Sequence, residues 1–338
     1  MSDDFQLSLR WRRQHSPSVT LCGFVFVFLP ASFTPQYVAA QAYPSKPIRF
    51  LVSTAPGGSP DILARIIAQK LSIAMGQQVV VDNRAGASGV IGTEIVARSA
   101  PDGYTLLLGT SLNIGAMPAL RKRLPYDVER DFTPVTQLAW VANVVGLHPS
   151  VPASTVAELV QAAKTRTLNY GSAGNASPAH LGGELFNVLA GVKMTHVPYK
   201  GAGPAAAELL AGQIQVFMGA PLVLLPYAQG GRIKVIATTG AMRDPLLPQL
   251  PTVAETLPGY DITQWWGVVV PAKTPRAIVE RLNRELVNAL QQPDVQEKLR
   301  QQGTTPLSGS AEAFARVIAD ERVRVTRLAQ QAGIRLDD

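Results

Sequence analysis

The chain has 338 residues, 46% of them hydrophobic and 16% charged, with a formal net charge of +7. That apolar content excludes a disordered chain, and the length suits two domains better than one core. The basic excess does not point to nucleic acid: the basic residues are scattered, and Arg121-Lys122-Arg123 is the only tight cluster beyond the N-terminus.

The first 42 residues read as an export leader. Arg10, Arg12 and Arg13 form a basic region, and Val19 to Leu29 is an apolar run too short to span a bilayer. Ala40-Gln41-Ala42 fits the small-x-small rule, so residues 1–42 are expected to be a signal peptide cut after Ala42. Cys22, the single cysteine, leaves with it. The mature chain then has no disulfide, thiol nucleophile or thiolate metal site. No later run is long and apolar enough for a membrane span, and a protein outside the cytoplasm is expected.

From Tyr43 onward, strand-like and helix-like runs alternate. Ile48 to Val52 reads as a buried strand, followed by Ala55-Pro56-Gly57-Gly58-Ser59-Pro60-Asp61, with Ser59 as N-cap and Pro60 in the first helical turn. Ile62, Leu63, Ile66, Ile67 and Leu71 share one helical face, and Gly76 ends the helix. Val79 to Val81 is the next strand. The Asn83 to Gly89 loop then leads to a helix with Ile91, Ile95 and Val96 inward. Tyr104 to Leu108 is a third strand, ending at Gly109-Thr110-Ser111. This repetition predicts a mostly parallel sheet with helices on both faces.

The second half repeats the pattern. A helix from Thr155 to Ala163 precedes the strand Leu168-Asn169-Tyr170, which runs into Gly171-Ser172-Ala173-Gly174-Asn175-Ala176-Ser177. Leu181, Leu185, Val188 and Leu189 form the next helical face, and Met194 to Val197 is a strand. Further strands are Ile214–Met218, Ile233–Ala237 and Val268–Val270, and three helices close the chain. Leu138 to Val145 and Thr263 to Val269 are extended apolar runs where the two blocks meet, and read as two crossings. The expected division is 43–142 plus 268–338 in one lobe and 143–267 in the other. Trp265-Trp266 is expected to pack in the core of a crossing, with an apolar ligand wall as the other possibility.

The two glycine loops suit an anion without any basic side chain. Each follows a strand and opens a helix, where unpaired N–H groups and the positive end of the dipole converge. In open α/β sheets ligands bind beyond the carboxyl ends of the strands, so both loops are expected to open on one shared cleft. Hydrogen bonds to a charged partner contribute about 1.5–3 kcal/mol each. Three or four of them, after ordering costs, leave roughly micromolar binding.

Catalytic patterns are weak. Gly109-Thr110-Ser111-Leu112-Asn113 lacks the last glycine of a hydrolase elbow, G-x-S-x-G. His148 and His196 read as structural, while His180 opens the helix after the second loop. An exported serine hydrolase using Ser111 or Ser172 is the competing reading. Gly201-Ala202-Gly203-Pro204 is only a loose dinucleotide fingerprint and reads as a helix-opening turn. There is no P-loop, no zinc-protease motif and no clustered ligand set, so neither metal nor cofactor is expected.

Several segments together carry a resemblance. They are Tyr43-Pro44-Ser45-Lys46-Pro47-Ile48-Arg49, Ala55-Pro56-Gly57-Gly58, Asn83-Arg84-Ala85-Gly86-Ala87, Pro101-Asp102-Gly103-Tyr104-Thr105, Phe132-Thr133-Pro134-Val135, Asn169-Tyr170-Gly171-Ser172-Ala173-Gly174 and His196-Val197-Pro198-Tyr199-Lys200-Gly201. In this order they resemble the Bug family, the substrate-binding receptors of tripartite tricarboxylate transporters. The resemblance implies an α/β, two-lobed periplasmic binding fold of the Venus-flytrap, type II-like kind. Each lobe would be a mainly parallel sheet flanked by helices, with two hinge crossings. It implies a monomeric periplasmic receptor that takes a small organic acid by its carboxylate and delivers it to membrane permease subunits. A sensor for a signalling partner is a further possibility.

Carried over, the ligand-binding candidates are Pro56, Gly57 and Gly58, then Thr110 and Ser111, then Ser172, Ala173, Gly174 and Asn175, with His180 and Tyr199 beside them. Gln215 and Gly219 stand where the family often has acidic residues, which disfavours a ligand with an ammonium group. Backbone N–H groups grip any carboxylate alike, so these loops leave the rest of the ligand open.

Overall fold

The computed structural model describes residues 43–334. The expected leader, with Cys22 and the cut after Ala42, lies outside the described residues. The elements in order are β1 Ile48–Val52, α1 Ser59–Met75, β2 Val79–Asn83, α2 Val90–Ala97, β3 Thr105–Thr110, α3 Met117–Leu120, α4 Val128–Asp131, β4 Phe132–Ala142 and β5 Val144–Leu147. There follow α5 Val156–Thr165, β6 Asn169–Ser172, α6 Pro178–Ala190, β7 Thr195–Pro198, α7 Ala202–Leu210, β8 Val216–Gly219, α8 Pro221–Gln229 and β9 Lys234–Thr238. The last are β10 Thr263–Pro271, α9 Arg276–Leu290, α10 Pro293–Gln301, β11 Thr305–Pro306 and α11 Ala311–Ala332.

Two sheets form two lobes. The first has the strand order β11-β4-β10-β3-β1-β2 and the second β7-β6-β8-β5-β9. In the first, β1, β2, β3 and β4 run one way and β10 and β11 the other. In the second, β6, β7, β8 and β9 run together and β5 alone is reversed. The sheets are thus mainly parallel by direction. Among the reversed strands are β5, by which the chain enters the second lobe, and β10, by which it returns. Strand pairing puts Thr263 to Gly267 within the first sheet, because β10 pairs with β4 from Thr263 onward.

The register of the crossings sets where the loops point. Ala142 ends β4 and Val144 begins β5, with only Asn143 between them. Because β4 runs with β1, β2 and β3, Asn143 lies at the edge where those strands end. Because β5 runs against β8, Val144 lies beside Gly219, the last residue of β8. The carboxyl edges of both sheets therefore border one hinge. That hinge is stitched by hydrogen bonds: Gln264 donates to Asn143 Oδ1, and Asn143 Nδ2 donates to the Met218 carbonyl at 3.0 Å. Thr239 N–H reaches the Asn143 carbonyl at 2.9 Å.

Packing follows the periodicities. Leu63, Ile67 and Leu71 of α1 and Leu282 and Leu286 of α9 cover one face of the first sheet, against Phe50, Leu106, Leu108, Trp266 and Val268. The other face, through Trp265, Phe314 and Ile318, is continuous with the second lobe's core around Tyr170, Phe186 and Phe217. Burying a side chain of this size contributes about 1.5–3 kcal/mol. Both tryptophans are core residues at 3% exposure, and Trp265 meets Phe314 edge-on at 5.4 Å.

One helical face departs from expectation. Val96 is buried as expected, but Ile91 is 48% exposed, and Val90, Gly92 and Thr93 turn inward in its place. The helix approaches the sheet too closely for a branched side chain: a Cβ at Gly92 would lie 2.9 Å from the Ser53 side chain and 2.8 Å from the Arg84 carbonyl.

Candidate functional site

The first loop leaves its helix uncapped. Gly58, not Ser59, occupies the N-cap position of α1, and no side chain caps it. The N–H groups of Gly58, Ser59 and Asp61 have no partner among the described residues. The Gly57 N–H is taken: Asp61 Oδ2 accepts it at 2.9 Å. The same carboxylate accepts from Asn83 at 2.9 Å and pairs with Arg65 at 3.0 Å. Burial raises the Asp61 pKa, but Arg65 and the N–H donors of Gly57 and Asn83 outweigh it, and the net shift is downward. Gly57 therefore shapes the loop, with φ +83° and open space where a Cβ would stand. Pro56 is exposed and, as proline, offers no N–H.

At the end of β3, Thr110 and Ser111 part company. Thr110 is spent on Asn113: its N–H donates to Asn113 Oδ1 at 2.7 Å, and its hydroxyl accepts the Asn113 N–H at 3.1 Å. Asn113 in turn donates to Ser53 and Thr93, both at 2.9 Å, and its carbonyl accepts the Tyr126 hydroxyl. The Ser111 hydroxyl has no protein partner among the described residues. Between β2 and α2, Gly86, Ala87, Ser88 and Gly89 all have positive φ. Two of these are not glycine, a conformation that costs energy and needs packing to hold it. Gly89 supplies that packing: a Cβ there would stand 3.1 Å from Asn113 and Ser53. Three strand-end loops thus meet at one edge.

In the second loop the N–H of Gly174 is spent on Ser172 Oγ at 3.1 Å, and that of Ala176 on His180 Nδ1 at 3.1 Å. Ser177 caps α6 through the His180 N–H. The N–H groups of Ala173 and Asn175 have no partner among the described residues. Tyr199, half-buried, donates its N–H to the Ser172 carbonyl at 3.0 Å and flanks Gly171. Burial and then Glu208 raise its hydroxyl pKa. His180 is 8% exposed, stacked on His196 with ring centroids 4.0 Å apart.

The model of the tripartite tricarboxylate transporter family receptor matches residues 63–334. The chain belongs to that family. Protein BugT of Bordetella pertussis is 35% identical, the match covering 94% of this chain and 98% of BugT. The structure of R. palustris Rpa4515 with adipate is 36% identical with a TM-score of 0.82, covering 87% of this chain and 99% of that one. MatC of Rhodopseudomonas palustris with bound malate is 31% identical with a TM-score of 0.77, covering 85% and 99%.

In this receptor one of the two serines of the competing hydrolase reading, Ser172, is sealed. Ser172 Oγ lies 2.7 Å from His196 Nε2, but Ser172 is 0% exposed. Its contacts are all satisfied when His196 Nε2 carries the proton: the hydroxyl then accepts from His196 and Gly174 N–H and donates to the Gly174 carbonyl at 3.0 Å. In that tautomer His196 donates to Ser172 and does not act on it as a base. Glu184, the carboxylate near His180, is engaged by the Tyr170 hydroxyl at 2.5 Å.

The receptor's two departures from the family pattern also find places. Gln215 bonds the Asn169 N–H and the Gly212 carbonyl, at the opposite end of β6 from the loop. A side chain at Gly219 would meet the Phe217 ring at 2.7 Å. Sequence reasoning missed Asn113, the strained turn at 86–89 and Thr54, whose buried hydroxyl has no partner. The three-residue spacing of Thr110 and Asn113, that of a capping box, was a readable signal for the first. A groove of about 560 Å³ between α3, α4 and α11, lined by Pro118, Val323 and Arg327 among others, contains none of these residues.

Proposed function

We propose that this receptor is a periplasmic, monomeric solute-binding protein that closes on the carboxylate of a small organic acid and delivers it to membrane permease subunits. The observation that carries this is the convergence of both carboxyl edges on Asn143, with free N–H groups on Gly58, Ser59 and Asp61 on one side and Ala173 and Asn175 on the other. The Ser111 and Thr54 hydroxyls add uncharged donors at the first edge. The adipate and malate complexes of its relatives support an aliphatic diacid as the first ligand to try. The division 43–142 plus 268–338 against 143–267 remains our assignment of the moving bodies, with Thr263 to Gly267 counted in the first sheet. Among the described residues no helix is long and apolar enough to cross a membrane.

Thermal unfolding of the purified protein against a panel of acids including adipate and malate tests the reading. Ligand at 100 times Kd stabilises by about 2.7 kcal/mol, which raises Tm by roughly 5 °C. No shift with any member of the panel overturns the carboxylate assignment.

The Ser172–His196 contact is the one observation favouring an exported hydrolase. The burial of Ser172 weighs against it, and we assign the receptor no chemistry. Turnover of model esters that vanishes in Ser111→Ala or Ser172→Ala would reverse that choice.

A further inference from the structure

We propose that His180 is the positioning residue of the second loop: its neutral imidazole, through Nδ1, holds the Ala176 N–H and keeps residues 173–177 in the shape that presents Ala173 and Asn175 to the ligand. The proposal rests on the reading of that loop as one jaw of the carboxylate clamp.

Ala176 is the critical residue. It is 0% exposed and adopts φ +63°, a conformation that an alanine does not hold unaided. Its N–H is out of reach of water, and His180 Nδ1 is its acceptor at 3.1 Å. The ring is fixed in turn. It stacks on His196 with centroids 4.0 Å apart and planes 21° from parallel. His196 stacks on Tyr170 at 5.0 Å and reaches Ser172 at 2.7 Å. One imidazole thus anchors the start of the loop at Ser172 and the other anchors its far end at Ala176.

This arrangement requires an unprotonated Nδ1. A proton there would set a donor against the Ala176 N–H and break the bond. The titratable groups facing the His180 ring are Glu184 on its own helix, His196 on β7 and Tyr170 on β6. Burial keeps the His180 pKa low, opposed by Glu184. Burial, reinforced by His180, lowers that of His196 to about 4. At neutral pH both rings are therefore neutral and the jaw is set. In acid it loosens, and ligand is released.

Asparagine at this position places Oδ1 where Nδ1 stands and does not titrate. The Ala176 amide is followed by ¹H–¹⁵N NMR in the ligand-free protein from pH 7.5 to 4, and adipate affinity is measured at pH 7.5 and 4.5. In the wild type the amide should titrate, while in His180→Asn it should move less, and only as His196 charges near pH 4. His180→Asn should hold adipate within about threefold of wild type at pH 7.5, and His180→Leu should weaken it about tenfold. Protonation of adipate itself is common to all three proteins, so the fall in affinity in acid should be larger in wild type than in His180→Asn. An Ala176 amide that does not move with pH, or a His180→Asn profile that follows wild type, overturns the proposal. If adipate binds none of the proteins at any pH, the choice of ligand fails, and the amide titration alone decides the role of His180.

Discussion

The Asp61 carboxylate accepts the N–H of Gly57 at 2.9 Å, four residues back in the chain. The first glycine loop is thus closed on its own helix before any ligand arrives, and the N–H groups of Gly58, Ser59 and Asp61 are left without a partner among the described residues. Asp61→Ala removes the acceptor for Gly57 and Asn83 and should destabilise the protein by about 1–3 kcal/mol. Arg65, whose side chain is 54% exposed, regains water and adds little. The Asp61 pKa is held below the usual carboxylate range, so its stabilisation is present above pH 4 and is lost as pH falls through the folded value. Urea midpoints of wild type and variant between pH 7 and 3 should converge at the acid end.

A second pH effect comes from His196. Its ordinary pKa of 6.5 falls to about 4 through burial and the neighbouring His180. Between these values the unfolded chain binds more protons than the folded one. Its stabilisation is therefore complete above pH 6.5 and drains away as pH falls toward 4. In His196→Gln, which keeps a donor for Ser172, the urea midpoint should depend less on pH across that window. Equal slopes in the two proteins would show that this ring is not buried in its neutral form.

The crossing strands give a double-mutant test. Asn143→Ala leaves the Met218 carbonyl and the Gln264 amide without their partner and should cost about 1–3 kcal/mol. Gln264→Ala should cost less, because Asn143 keeps its bonds to Met218 and Thr239. A coupling energy of about 0.5 kcal/mol or more in denaturant titrations is expected for two residues in contact. Strict additivity would mean that the hinge contact contributes nothing.

Glycines at two positions should respond oppositely to alanine. A Cβ at Gly183 would stand 2.1 Å from the Tyr170 ring, which is itself stacked on His196. Gly183→Ala should cost about 1–3 kcal/mol and also weaken adipate, because it displaces the stack beneath the second loop. Gly203, in α7, has nothing within 4 Å of a Cβ. Gly203→Ala should stabilise by about 0.4–1 kcal/mol and leave affinity unchanged. Calorimetric Tm values of the pair, measured side by side, check both signs.

Affinity itself should depend on loop backbone geometry. Gly174 has φ +125°, which a branched residue does not adopt. Gly174→Val should lower adipate affinity at least about tenfold while the far-UV circular dichroism stays that of wild type. Unchanged affinity would remove the second loop from the site.

The strands, helices and two-block organisation were readable because they rest on local periodicity and turn chemistry. Gly76 ends α1 with φ +67°, and α11 is the last of the three helices expected to close the chain. The glycine loops were readable for the same reason, as strand-to-helix turns with small residues. What could not be read was the use to which each polar group in those loops is put. Thr110 and Ser111 are adjacent in sequence and alike in chemistry, yet one is consumed by Asn113 and the other is free. On α2 only Ile91 departs from the expected inward face, because glycine at 92, not the isoleucine at 91, permits the close approach to Ser53.

By itself, then, the sequence determined the element order, the two glycine loops and their lack of basic side chains, since these depend on neighbours a few residues apart. Only the tertiary structure decided which donors remain free. The hydrogen bonds that consume the others join residues as distant as Ser172 and His196, or Asn113 and Ser53. A donor is available to a ligand only when the folded chain supplies no better acceptor, and that depends on the whole fold.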